Sequence, residues 1–241
     1  MQTAGLALHS DFDIPALAQQ FDRDHRVRIG PFLAPESAQA LFEMLRRRTD
    51  WRTVVNSGDK PLEFGRETRA SMSDAQRRAL DDAVYGAARD GFQYRYETLR
   101  VPDESADRLA SEDPLAHLAH WMSSDPVRTL LRQITAMPEI DFVDLQGTAY
   151  GPGDFLTGHD DAVPGKHRHA AYVLGLTPVW RAEWGGLLLF HDANGSDVRG
   201  YVPAFNVLTL FKVPKMHSVS EVSRAAAIRR YSITGWLRSR R

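Results

Sequence analysis

Three side chains that could hold a metal ion lie in two short segments of the chain. His159 and Asp161 are two positions apart, and His217 follows fifty-eight positions after His159. Two imidazoles and one carboxylate on one face of a metal leave the opposite positions open for a co-substrate and O2. The residue types and their spacing therefore predict an open, non-haem iron site.

Backbone geometry selects Asp161 over its neighbour Asp160 as the carboxylate ligand. In an extended segment, residues i and i+2 project to the same side, so His159 and Asp161 can share one ion while Asp160 points away. The alternative is a solvated turn beside a surface histidine. The motif pieces that surround the pair make that alternative improbable.

A second chemical signal lies near the end of the sequence. Residues 229–236 alternate polar and bulky side chains, as a half-buried final strand does. Arg230, Ser232 and Thr234 share one face of this predicted strand, where a guanidinium can fork onto a carboxylate and a hydroxyl can add a second bond. Arg229 lies on the opposite face of this predicted strand and is expected to be an exposed charge. The pattern predicts a clamp for a ligand carboxylate.

The stretch from about residue 143 to 237 resembles the catalytic core of the 2-oxoglutarate- and Fe(II)-dependent dioxygenases, in the prolyl-hydroxylase-like branch. Within that branch it looks most like the proline hydroxylases related to those that modify a ribosomal protein. The motifs appear in the family's order and at similar intervals. They are Tyr150-x-x-Gly-Asp-Phe, His159-x-Asp161, Leu176 to Trp180, Trp184-Gly185-Gly186, Pro203 to Phe211, His217-x-Val219 and Arg230-Tyr231-Ser232-Ile233.

The resemblance implies a role for each matching residue. His159, Asp161 and His217 hold the iron, and Arg230 binds the distal carboxylate of 2-oxoglutarate. The other predicted co-substrate contacts are Tyr150, Ser232, Thr234 and Trp236. The implied co-substrates are 2-oxoglutarate and O2, with ascorbate as an accessory reductant, and the implied reaction is hydroxylation of an unactivated carbon, with a prolyl residue in a protein or peptide as the favoured target.

One departure from the family's pattern concerns Gly175, which sits where the oxygen-sensing prolyl hydroxylases place a tyrosine that contacts the co-substrate. Tyr172 is a candidate replacement. The presence of Asp161 favours hydroxylation over halogenation, because the related halogenases have a small residue in place of this carboxylate.

Alternative functions stay open at this point. The substrate could be a free amino acid or a secondary metabolite, since substrate choice depends on loops that the sequence does not decode. A cupin-like metalloenzyme that works without 2-oxoglutarate is a further alternative, which Arg230-x-Ser232 argues against. A catalytically idle barrel is a third, and the intact ligand set argues against it.

Composition bounds the class of protein. The chain has 241 residues, 30 Lys plus Arg against 31 Asp plus Glu, and no cysteine. This length fits a single domain, and the balanced charge gives no field that favours nucleic acid or an anionic membrane. No apolar run approaches the ~18 residues of a membrane span. We expect a cytoplasmic protein, either a monomer or a homodimer, whose iron chemistry suits a reducing compartment.

Hydrophobic spacing divides the chain into two parts. Residues 1–139 are predicted to be a largely helical support region with some early strands, including a helix from Ser73 or Asp74 to Gly91. Residues 101–114 are predicted to be a mobile loop near the mouth of the site. Residues 140–241 are strand-rich, and the resemblance implies a double-stranded β-helix, or jelly roll. The expected fold is mainly β with flanking helices and a cupin-like catalytic core.

Four histidines outside the proposed iron site need a separate assignment. His117 and His120 lie three apart on a predicted helix, where packing beside apolar neighbours is favoured over a metal site. His169 and His191 are expected to be exposed.

Overall fold

The computed structural model describes residues 5–58 and 60–240. Helices span Ile14–Asp24 (α1), Pro35–Arg47 (α2), Arg66–Ser71 (α3), Asp74–Asp90 (α4), Ser105–Ala110 (α5), Pro114–Met122 (α6) and Asp125–Thr135 (α7), with a 3-10 turn at Ala182–Trp184. Strands span Arg26–Ile29 (β1), Arg52–Val55 (β2), Leu62–Gly65 (β3), Tyr94–Arg100 (β4), Phe142–Val143 (β5), Gln146–Tyr150 (β6), Phe155–His159 (β7), Arg168–Gly175 (β8), Leu188–His191 (β9), Val198–Tyr201 (β10), Val207–Lys212 (β11), His217–Val219 (β12) and Arg230–Arg238 (β13).

These strands form one antiparallel sheet that curls into a half-barrel. Its order is β1-β11-β8-β13-β6-β4-β7-β12-β9-β10, with β2 and β3 added beside β4 and β5 beside β13. Strand β4 joins the two sides of the curl, because residues 97–100 pair with β6 while residues 94–95 pair with β7. The prediction of a mainly β fold with flanking helices is confirmed.

The two faces of β13 show how the sheet separates its core from the site. Tyr231, Ile233 and Leu237 belong to the main hydrophobic core, which packs under the helices. Burying each such side chain contributes about 1.5 to 3 kcal/mol. The intervening residues therefore face the inside of the curl, as the alternation in the sequence predicts.

Helix α4 supports the strand that ends at the site. Ser73 and Gln76 form a reciprocal capping box at its start, and Gly91 follows its last residue, as the sequence predicts. Its buried Val84 packs in a cluster with Phe155, the first residue of β7. The helix thus braces β7 from outside the curl.

The prediction for residues 101–114 was wrong. This segment contains helix α5, and Arg108 at its centre is only 2% exposed. The Arg108 guanidinium donates to the carbonyl oxygens of Pro102, Ala119 and Val143, at 2.7, 3.3 and 3.0 Å. Composition alone indicated a loop, because one buried arginine among acidic and small residues gives no periodic signal.

In the described ranges, none of the helices has the length and apolar character needed to cross a membrane. The division of the chain into a single domain with a support region and a core stays a prediction.

Candidate metal centre

Strand pairing brings the two histidines together. His217 on β12 lies directly opposite His159 on β7, and their ring centroids are 4.1 Å apart. The Asp161 carboxylate faces both rings, with Oδ1 3.4 Å from His159 Nε2 and Oδ2 3.4 Å from His217 Nε2. One ligand atom from each residue lies within 4.8 Å of the others, and this is the sole such cluster found in residues 5–58 and 60–240.

Asp161 reaches the histidines by a different route from the predicted one. Strand β7 ends at His159, and Asp161 lies beyond it in the left-handed region with φ 65°. The extended geometry assumed from the sequence was therefore wrong, although the two side chains do converge. Asp160 also lines the cavity but is not part of the cluster, and its Oδ1 accepts a bond of 3.0 Å from the Ala162 N–H.

Backbone carbonyls orient both rings. His159 Nδ1 lies 3.0 Å from the Thr157 oxygen, and His217 Nδ1 lies 2.7 Å from the Lys215 oxygen. A carbonyl only accepts, so each Nδ1 carries the hydrogen and each Nε2 keeps its lone pair for a metal. Both lone pairs face the Asp161 carboxylate.

Electrostatics also favour a metal site. Burial lowers the pKa of His217 to about 4, with a further lowering by the neighbouring His159, so its imidazole is neutral at physiological pH. Burial would raise the pKa of Asp161, but the adjacent histidines outweigh it and the pKa is lowered. The carboxylate is therefore ionised. A buried carboxylate beside two nitrogen lone pairs attracts a divalent cation.

The three ligands line a cavity of about 750 Å³ that opens at one end of the curl. Its long wall is aromatic. Tyr96 stacks on Tyr150 with ring centroids 5.2 Å apart, Tyr94 lies 5.6 Å from Tyr96, and Phe92 lies 5.6 Å from both Tyr94 and His159. Burial raises the pKa of Tyr96 to about 12, so its hydroxyl is neutral. We call Phe92, Tyr94, Tyr96 and Tyr150 the aromatic wall.

Arg230 lines the same cavity and lacks an anionic partner. It is 4% exposed, no carboxylate lies within 4.0 Å among the described residues, and its Nε and Nη1 have no hydrogen-bond partner there. Its Cζ lies 5.2 Å from the centroid of the Tyr150 ring. Burial lowers the pKa of Arg230, yet a guanidinium stays protonated. An isolated buried charge of this kind is costly unless a ligand supplies the opposite charge.

Other polar groups on the same face of β13 are also unpaired. Ser232 Oγ, Thr234 Oγ1 and Trp236 Nε1 are buried and have no hydrogen-bond partner within the described residues. Thr234 and Trp236 line the cavity with Tyr150, whereas Ser232 does not. A linear dicarboxylate that reaches from the three candidate metal ligands to Arg230 would pair with the unpaired donors that line the cavity. The residues present therefore fit 2-oxoglutarate.

The structure explains Gly175 and shows where its proposed replacement, Tyr172, lies. A Cβ at Gly175 would lie 2.3 Å from the Ala204 carbonyl oxygen, so the backbone leaves no room for a side chain there. Tyr172 is 1% exposed, and its hydroxyl donates to the Asp144 oxygen at 2.9 Å. Tyr172 nevertheless lines the cavity, so its contact with the co-substrate stays a prediction.

Two further histidine assignments can be compared with the structure. His191 is half-buried, and its Nε2 lies 2.8 Å from Ser218 Oγ, so the prediction that it is exposed was wrong. His169 is likewise half-buried, 3.0 Å from Ser239 Oγ, which corrects the same prediction.

Sequence reasoning missed Tyr94, Tyr96 and Arg168 as cavity residues. The alternation Phe92-x-Tyr94-x-Tyr96 was the available signal for the first two, since aromatic residues at a period of two share one face of a strand. Arg168 gave no local signal, because its role depends on contacts across a loop.

Comparisons with known proteins agree with this geometry. Residues 145–238 match the model of the 2OG-Fe(II) oxygenase superfamily. Prolyl 3-hydroxylase OGFOD1 from Mus musculus is 28% identical over 152 residues, which are 60% of this chain and 27% of that protein. The chain thus spans about a quarter of the length of that relative.

Solved structures share the fold at low identity. A prolyl-4-hydroxylase from Pseudomonas putida superposes with a TM-score of 0.60 and 19% identity, covering 95% of this chain and all of that one. A Trichoplax adhaerens prolyl hydroxylase, solved with a hypoxia inducible factor peptide fragment, gives 0.56 and 15%, covering 94% and 89%. The predicted jelly-roll core and the predicted likeness to prolyl hydroxylases are confirmed.

Proposed function

We propose that this 2OG-Fe(II) oxygenase, whose matched region is residues 145–238, hydroxylates a prolyl residue within a protein or peptide. As a dioxygenase of this family it uses Fe(II), 2-oxoglutarate and O2. We assign His159, Asp161 and His217 as the iron ligands and Arg230 as the partner of the distal carboxylate. The substrate assignment follows the relatives named as prolyl hydroxylases.

One observation carries the co-substrate assignment. Arg230 is a buried guanidinium without an acidic partner in the described chain, and it lines the same cavity as the three metal ligands. An isolated buried guanidinium needs an anionic ligand, and the distal carboxylate of a keto-acid co-substrate supplies one. A dicarboxylate co-substrate explains why the metal-ligating cluster and the buried guanidinium of Arg230 share one cavity.

The protein's own residues mainly bind, orient and exclude water. Iron held by the triad would activate O2, the oxidant, so that one oxygen atom converts 2-oxoglutarate to succinate and CO2 and the other enters the substrate. The carbonyl oxygens of Thr157 and Lys215 keep each Nε2 directed at the metal position. Arg230 sets the depth to which the co-substrate enters, and the stacked ring of Tyr150 keeps water from its guanidinium.

The cavity's entrance favours a peptide over a free amino acid. Phe92, Val163 and Met216 line the cavity and are 48%, 45% and 44% exposed, which is unusual for large apolar side chains. Together with the aromatic wall they present an apolar surface around the opening. Aromatic-lined grooves bind the preformed extended conformation of proline-containing segments.

The test is mass spectrometry of proline-containing peptides incubated with the enzyme, Fe(II), 2-oxoglutarate and ascorbate. The expected product carries one added oxygen on proline, with succinate formed in equal amount, and His217→Ala gives neither. Hydroxylation of free proline or another free amino acid, with peptides left unchanged, would instead establish the small-molecule alternative. Absence of succinate formation under any condition would overturn the proposal altogether.

A further inference from the structure

The conformation of Asp161 requires support that its own side chain does not provide. With φ 65° it lies in the left-handed region, which residues other than glycine rarely adopt. The carboxylate has to face both histidines, so the main chain on either side must be held in place. In an iron enzyme of this kind, loss of that conformation would remove the carboxylate ligand.

Arg168 makes the direct contact to the Asp161 main chain. It is the first residue of β8, and its Nη1 donates to the Asp161 carbonyl oxygen at 3.1 Å. This bond closes the loop between Asp161 and β8 at its base. A hydrogen bond from a charged donor is stronger than one between neutral groups, so it can offset backbone strain at this position.

The same guanidinium also holds Trp236. Its Cζ lies 3.4 Å from the centroid of the indole, which is van der Waals stacking distance. Trp236 lines the metal cavity together with Asp161, and its Nε1 is buried without a hydrogen-bond partner among the described residues. Arg168 thus contacts the main chain of Asp161 through a hydrogen bond and the indole of Trp236 through stacking.

No ion pair explains why an arginine is present. In the described part of the chain no carboxylate oxygen lies within 4.0 Å of Arg168, and its Nε is buried without a partner. A salt bridge to a structural acid would have been a sufficient reason for the charge. The contacts that Arg168 does make are those to Asp161 and Trp236. All three residues line the metal cavity.

We infer that Arg168 is a positioning residue for the metal centre, which fixes the left-handed Asp161 through its carbonyl oxygen and the Trp236 indole through stacking. The inference rests on the proposed iron site. It requires a planar, multiply donating cation, because an ammonium could replace the charge but not the stacked plane with its directed N–H. Supporting residues of this kind typically change metal affinity by about 10- to 100-fold.

The test is titration of the apoprotein with Mn(II), a redox-inert substitute for Fe(II), followed by electron paramagnetic resonance of the free ion. Arg168→Met should weaken Mn(II) binding about 10-fold or more. Arg28→Met is the matched control. Arg28 also donates to a carbonyl oxygen, that of Val202 at 3.4 Å, and lies over an aromatic ring, that of Tyr201 at 5.0 Å, but does not line the cavity. This control should bind Mn(II) as the native protein does.

Arg168→Lys separates positioning from charge and from loss of fold. It should keep cooperative thermal unfolding and still bind Mn(II) more weakly than the native protein. Native affinity in a folded Arg168→Met or Arg168→Lys protein would overturn the inference, including the case in which only the KM for a peptide rises. Failure of the native protein itself to bind Mn(II) would instead overturn the proposed function.

Discussion

At the scale of single residues, the cavity contains two groups that each need a ligand of a particular charge. Arg230 is a buried cation without an anion, and the cluster of two histidines and Asp161 can bind a cation. Arg230 is destabilising in the empty cavity because its guanidinium has lost water and gained no anion. The carboxylate of Asp161 and the lone pairs of two histidines likewise need a bound cation to balance them. Both deficits are removed when iron and a dicarboxylate bind. A mutation that removes one of these unpaired groups should therefore weaken ligand binding and increase the stability of the apoprotein.

Replacement of Arg230 tests whether co-substrate binding and apoprotein stability change in opposite directions. Arg230→Ala should raise the KM for 2-oxoglutarate at least roughly 100-fold, because two charge-assisted hydrogen bonds of about 1.5 kcal/mol or more each are lost. The apoprotein should unfold at an equal or higher temperature, since a desolvated charge has been removed. Steady-state succinate formation and thermal unfolding measure the two effects.

Arg229→Gln is the neighbouring control for that experiment. Arg229 lies 3.3 Å from the buried carboxylate of Glu97 and should affect stability more than the KM for 2-oxoglutarate. An unchanged KM in Arg230→Ala would contradict the clamp assignment.

Removal of a metal ligand should abolish turnover without abolishing the fold. In Asp161→Ala, succinate formation should fall to background, because two imidazoles alone hold Fe(II) too weakly. Circular dichroism should stay native-like, since Asp161 lies in a loop outside the hydrophobic core. Full succinate formation by this variant would remove Asp161 from the ligand set.

The sequence predicted which side chains meet in the cavity but not the way in which they are held. His159, Asp161, His217 and Arg230 could be found because their chemistry limits the residue types and their motifs are local. The left-handed Asp161 and its contact with Arg168 could not, because they depend on the path of a loop and on a stacking partner from another strand.

At the scale of elements, the main chain at Ala204 lies so close to β8 that position 175 requires glycine. Gly175→Ala would place a Cβ 2.3 Å from the Ala204 oxygen, and backbone shifts of this kind cost about 1 to 3 kcal/mol. We expect the melting temperature to drop by roughly 2 to 4 °C per kcal/mol. Gly86→Ala in α4, where nothing lies within 4 Å, should raise it instead. Equal melting temperatures for the two variants would contradict the close approach.

The connection between β5 and β6 should make stability depend on pH. Burial raises the pKa of Asp144 to about 6 from 3.8, despite bonds from the Trp236 N–H and Arg238 that lower it. The folded state therefore holds the proton more tightly than the unfolded one, so its stabilising effect is complete below about pH 4 and is lost as pH rises through 6.

Asp144→Asn isolates that contribution, because the amide mimics the protonated acid. A shift of about two pKa units corresponds to about 3 kcal/mol. Between pH 4 and 7 the unfolding free energy of the native protein should therefore fall by about that amount relative to the variant. Denaturant unfolding at several pH values measures it, and parallel pH profiles would count against the raised pKa.

Elements with strong periodic or capping signals were predicted well. The two faces of β13 and both ends of α4 follow from side-chain alternation and from the capping box. Strands β1 to β3 have only four residues each, too few for a period of two to stand out, and tertiary pairing defines them. The helix in residues 101–114 was missed because a buried arginine anchors it.

At the scale of the whole molecule, the two halves of the sequence build one sheet. Strand β1 pairs with β11, and β4 pairs with both β6 and β7. The main hydrophobic core likewise combines residues from before and after residue 140, such as Leu41, Leu118, Leu174 and Ile233. Residues 140–241 expressed alone would expose these strand edges and the apolar face that the helices cover.

We therefore expect the 140–241 fragment to lack cooperative thermal unfolding and to bind Mn(II) far more weakly than the full chain, although it contains all three metal ligands and Arg230. The physical reason is that β4 holds β7, and β7 presents His159 opposite His217. Calorimetry and Mn(II) titration of the fragment, with the full-length protein as the control, make the comparison. A fragment that unfolded cooperatively and bound Mn(II) with native affinity would show that residues 1–139 are an accessory to the catalytic core and not a part of it.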